Sequence, residues 1–93
     1  MSKLRKSARG QACTFRIPGH CNFNAETTVL CHLPSIDKGV AKKSPDWWAA
    51  FGCSGCHAAI DQHRIPKELA HKYMMSALYE TQRYWIREGL LRA

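Results

Sequence analysis

The chain has 93 residues, of which 45% are hydrophobic. That is enough for one small folded unit, which excludes both a multidomain enzyme and a disordered polyelectrolyte. The net charge of +7 is lopsided: residues 1–43 hold eight Lys/Arg against two Asp/Glu, whereas residues 44–93 hold six against five. A basic N-terminal half points to a polyanionic partner, since each phosphate contact releases counterions; simple solubility is the alternative.

Met1–Gly10 is basic but lacks the apolar stretch of a signal peptide, and no apolar run approaches a membrane span. The expectation is a cytoplasmic protein with no membrane partner, in which thiols stay reduced. Five cysteines in that setting suggest metal ligands rather than disulfides, with four ligating and one left over.

In chain order, the elements read as an α+β fold. Lys3 to Arg9 suggests a flexible or loosely docked basic arm within residues 1–10. Gln11–Ile17 alternates weakly, as a short strand does, and Pro18-Gly19 ends it. Asn22–Glu26 is turn-like, and Thr27–Leu33 is β-branched and apolar, a second strand closed by Pro34. Ile36–Pro45 reads as an exposed loop with three lysines. Asp46 is placed to cap a short helical piece through Trp47, Trp48 and Phe51, whose rings are expected in the core. A helix should open at Cys53–Cys56 and run to Asp61. Pro66 suits the start of a C-terminal helix over 66–88, with Gly89 as its stop. Ala70, Met74, Ala77, Leu78, Thr81 and Trp85 form one apolar stripe on it, flanked by Tyr73 and Tyr84, with Lys72, Glu80, Arg83 and Arg87 largely opposite. The stripe is core packing; the periodicity is compatible with a homodimer seam but does not demand one, so a monomer suffices.

Cys53-x2-Cys56 has the spacing of a metal knuckle, and Cys13 and Cys21 form a second pair upstream. Zinc takes four tetrahedral thiolate or imidazole ligands, so Cys13, Cys21, Cys53 and Cys56 are read as a structural zinc site, with His20 as an alternative to Cys21. A thioredoxin-like redox motif lacks its βαβ surroundings. Cys31 is the cysteine left over.

Three further residues suggest catalysis. His32 lies on the second predicted strand, while His57 and Asp61 lie one helical turn apart on one face. Phosphodiester hydrolysis needs a base to activate water and a cation to hold the phosphate. His32 is therefore read as the general base, and His57 with Asp61 as ligands of a catalytic divalent cation, Mg²⁺ or another. DNA contacts are assigned to Lys3, Arg5, Lys6, Arg9, Lys38, Lys42 and Lys43, positioning the backbone without reading bases.

Leu30-Cys31-His32-Leu33-Pro34 followed by Cys53-Ser54-Gly55-Cys56-His57 resembles the HNH, or His-Me finger, nucleases. Leu4–Gln11, Arg16–Gly19, Glu26–Leu30, Pro45-Asp46, Cys53–Asp61 and Trp85–Gly89 resemble more closely the YbcO family of small phage and prophage proteins, over nearly the whole chain. The resemblance implies a zinc-stapled ββα-metal core and a DNase role. The broader HNH pattern has Asp or His before the strand histidine, where this chain has Cys31. It has a bracing Asn where this chain has Trp48, and Asp46 is the nearest polar candidate for that brace. His63 could supply a further ligand but points off the face of His57 and Asp61. The competing expectations are a non-catalytic zinc-dependent nucleic-acid-binding module and a redox or purely structural protein.

Overall fold

The computed structural model describes residues 2–34 and 44–91. The basic start is a docked helix rather than a loose arm. The Ser2 side chain accepts from Arg5 N and caps α1, Lys3–Ser7. Leu4 and the buried Ala8 lie one turn apart, and both pack on the cluster of Leu30, Ala49, Phe51 and Trp85. The Trp85 indole donates to Ser7 Oγ at 2.7 Å. Lys3, Arg5, Lys6 and Arg9 stay exposed around this narrow apolar seam.

Gln11–Ile17 is not a strand. Cys13, Thr14, Phe15 and Ile17 are all buried, but Arg16 adopts a left-handed φ of 49°. That turns the chain and ends any alternation. A single turn of 3-10 helix, Ala25–Thr27, is capped by Asn24, so the next strand is shorter than its β-branched run suggests: β1 is Val29–His32.

The expected helix after Asp46 is replaced by a turn and then β2, Ala49–Gly52. β1 and β2 pair antiparallel, with Leu30 opposite Phe51 and His32 opposite Ala49. All four β2 residues are buried, so burial on both faces overrides the helical preference of alanine. Of the three rings placed in the core, Phe51 is buried, Trp48 is half-buried, and Trp47 is 50% exposed. The Trp48 indole donates to Pro34 O at 2.9 Å. Most of the expected loop over 36–45, with Lys38, Lys42 and Lys43, lies outside the described residues.

Cys53 caps α2, Ser54–Asp61, and α3 is Lys67–Arg87 with Pro66 just before it. Gly89 takes φ 76°, and Leu90 N donates to Trp85 O at 2.8 Å, closing α3 as a Schellman turn. The two-stranded sheet separates two apolar clusters. Cys31 and Ala50 face one, with Cys53, Cys56 and Ala59 of the α2 side. Leu30, Ala49 and Phe51 face the other, with Ala8 and Trp85.

Thr81 belongs to the apolar stripe of α3 but acts through its hydroxyl. It is fully buried, accepts from Phe51 N at 3.1 Å, and lies 3.4 Å from the Thr14 hydroxyl. Thr14 donates from both N and Oγ1 to Phe51 O. Phe51, on the outer edge of β2, is thus paired by one helix residue and one loop residue instead of a third strand. Thr81→Val keeps the volume and strands the Phe51 N–H. It should cost about 2 kcal/mol, or roughly 10 °C in Tm for a chain of this size, by thermal unfolding.

Candidate functional site

The four cysteines named from their spacing converge. One sulfur from each of Cys13, Cys21, Cys53 and Cys56 lies within 4.8 Å of all the others. Cys21 Sγ and Cys53 Sγ are 3.8 Å apart, too far for a disulfide. A tetrahedral zinc with Zn–S bonds of about 2.3 Å has sulfur–sulfur edges of roughly 3.8 Å, so the cluster fits that ion. His20 is not part of the cluster.

Backbone donors are aimed at these sulfurs. Ile17 N lies 3.4 Å from Cys56 Sγ, Asn22 N 3.5 Å from Cys53 Sγ, and Cys56 N 3.4 Å from Cys53 Sγ. Such donors favour the thiolate that a metal requires. Burial acts to raise the Cys53 thiol, but the N–H groups of Cys56 and Asn22, with the Cys56 and Cys21 thiols, bring it down to about 7. Burial dominates at Cys21 and Cys56 and pushes both up. Without a cation the cluster therefore resists full ionisation.

The two knuckles are pressed together through Gly55. A Cβ there would sit 2.0 Å from the His20 carbonyl oxygen, so no other residue lets the 17–22 loop approach the first turn of α2. Asn22 Nδ2 also donates to Ser54 Oγ at 2.9 Å across this junction. The sequence showed the ligand spacing but not this close approach.

His57 follows the last cysteine of the cluster on α2, and its Nε2 lies 3.2 Å from Asp61 Oδ2, with Asp61 exposed and His57 half-buried. Cis ligands of an octahedral ion with bonds of about 2.1 Å lie roughly 3 Å apart, so the pair fits two positions on a divalent cation. Among the described residues no third His, Cys, Asp or Glu joins it, and His63, at φ 53° beyond the helix, does not either.

His32 ends β1 on the other face of the sheet, the face of Leu30 and Ala49. Its Nε2 lies 2.7 Å from Asp46 Oδ1. Asp46 also receives the Ser2 hydroxyl on Oδ2 and faces Arg5 Nη2 at 3.5 Å. The Ser2 hydroxyl, then His32 and Arg5, hold this carboxyl below its ordinary range. The structure thus makes two pairs, His57–Asp61 and His32–Asp46, and does not merge them.

Cys31, the residue before His32, points to the opposite face of the sheet. It faces α2, and burial together with the charges of Cys13, Asp61 and Cys53 pushes its thiol up to about 12.

One zinc per chain should be released when the four thiols are titrated with a mercurial. Chelation should lower Tm by roughly 10 °C or more, because metal binding is part of the folding free energy. Gly55→Ala should lower zinc content under the same assay, and full zinc retention with an unchanged Tm would contradict the proposed close approach.

Comparison with known proteins gives one consistent answer. The family model described as "Putative nuclease YbcO" matches residues 2–90. The chain is 41% identical to "Putative nuclease YbcO" of Escherichia coli (strain K12) and to its namesake in Enterobacteria phage 82, over the full length of each. A solved structure titled "Structure of a putative bacteriophage protein from Escherichia coli str. K-12 substr. MG1655" superposes with a TM-score of 0.77 at 40% identity, covering 94% of this chain and all of that one. Matched from the first turn of α1 to the C-terminal stop of α3, the chain belongs to the YbcO nuclease family of phages and their bacterial hosts.

Proposed function

We propose that this family member is a metal-dependent endonuclease that hydrolyses phosphodiester bonds in DNA, with a ββα-metal (His-Me finger, HNH-type) active site. The observation that carries the reading is the solvent-accessible His57–Asp61 pair on a helix that directly follows an antiparallel two-stranded sheet bearing His32. The order β1, β2, α2 supports the ββα architecture, and the four-cysteine cluster supports zinc as its staple.

His32 takes a proton from water, the resulting hydroxide attacks phosphorus, and the bond to the leaving oxygen breaks. A divalent cation on His57 and Asp61, Mg²⁺ or another, would hold the phosphate and offset the charge on the leaving oxygen. His57 and Asp61 supply two ligands and leave room for water and phosphate. Lys3 and Lys6 on the exposed side of α1 and Arg9 in the turn after it attract the DNA backbone, together with Lys38, Lys42 and Lys43 of the connecting segment. The place of action is the cytoplasm, where the thiols remain reduced.

A second reading is a zinc-dependent nucleic-acid-binding module without catalysis. It is favoured by the separation of the two pairs and by the absence of a third ligand on His57–Asp61 among the described residues.

The test is cleavage of linear, nicked and branched DNA by the zinc-loaded protein with Mg²⁺, Mn²⁺ or Ni²⁺. Asp61→Ala and His32→Ala should abolish cleavage while DNA affinity, zinc content and Tm stay within error. Normal cutting by either variant would remove its assigned role. Binding without cutting by the parent, on every substrate and metal, would establish the binding module instead.

A further inference from the structure

Asp46 lies in the turn before β2, and three groups converge on its carboxylate. His32 Nε2 and Arg5 Nη2 meet Oδ1 at 2.7 Å and 3.5 Å, and the Ser2 hydroxyl meets Oδ2. Ser2 and Arg5 belong to the capped first turn of one short helix, since Ser2 also caps α1 by accepting from Arg5 N at 3.1 Å. That helix is fixed from behind by the Trp85 indole on Ser7 and by the burial of Ala8. The first residues of the chain therefore form a brace for the carboxylate that holds His32. Arg5 faces Asp46 while its side chain stays exposed.

An ionised carboxylate only accepts hydrogen bonds, so a neutral imidazole beside it must donate from the nitrogen that faces it. We propose that Asp46, braced by Ser2 and Arg5 of α1, is the positioning residue for His32, holding the ring with its proton on Nε2 so that Nδ1 is the nitrogen presented to water. The inference rests on His32 acting as the base. It goes further by naming the basic atom and by giving α1 a role in the active site. Asp46 takes the bracing part that the broader HNH pattern gives to an asparagine, but it holds the imidazole itself, through a carboxylate.

The test combines a spectrum with kinetics on the zinc-loaded full chain. Two-bond ¹H–¹⁵N correlation of neutral His32 should show Nδ1 bare and Nε2 protonated in the parent. In Asp46→Asn the amide can donate as well as accept, so the tautomers should mix. On DNA with Mg²⁺ or Mn²⁺ that variant should lose roughly 100-fold in kcat, within the range that general base catalysis contributes, while KM and zinc content hold. A parent ring protonated on Nδ1, or an Asp46→Asn variant with unchanged tautomer and kcat, would overturn the proposal. The spectrum needs no substrate. If the parent cuts nothing, the nuclease reading fails with the role of His32 as base, while the spectrum still decides whether Asp46 sets the ring.

Discussion

Four sulfur atoms held within 4.8 Å of one another are an unstable arrangement on their own. Burial and mutual repulsion push two of the thiols up, while backbone N–H groups are already aimed at the sulfurs as if for thiolates. A cation held by the four sulfurs would resolve the conflict. Two of the cysteines come from the irregular segment before β1 and two from the start of α2, so such an ion would close a long loop in a chain with a thin core. It would also tie down the start of α2, the helix that carries His57 and Asp61.

The two-stranded sheet is too small to bury a core alone. It becomes stable by being covered on both faces and along one edge. α2 and the cysteine segment cover the face of Cys31 and Ala50, whereas α1 and Trp85 cover the face of Leu30, Ala49 and Phe51. Thr14 and Thr81 pair with Phe51 on the outer edge of β2. The same division distributes the chemistry. His57 and Asp61 belong to the α2 side, and His32 and Asp46 to the α1 side.

Electrostatics and packing make different uses of the N-terminal segment. Its charge is long-ranged, needs no fixed geometry, and suits attraction of a polyanion. Its Leu4–Ala8 seam and its Ser2 and Arg5 side chains are specific contacts that place a helix beside His32. One five-residue helix can do both because its exposed lysines and its buried side occupy different faces.

The sequence by itself determined the features that repeat at short range or through strong local chemistry. These were the cysteine pairs, the opening of α2 at Cys53–Cys56, the long stripe of α3 with its Gly89 stop, and the one-turn spacing of His57 and Asp61. It also held the pattern by which the chain resembles its nuclease family. Only the tertiary structure decided the rest, because those outcomes depend on partners far away in the chain. Ala49–Gly52 is a strand because it is buried on both faces, not because of its own preference. Gln11–Ile17 is not a strand: Arg16 takes a left-handed turn and Cys13 joins the cysteine cluster. The basic start is a helix because Trp85 and Phe51 receive its narrow apolar side. Asp46, read locally as a helix cap, became the partner of His32 because the antiparallel register brings the start of β2 beside the end of β1.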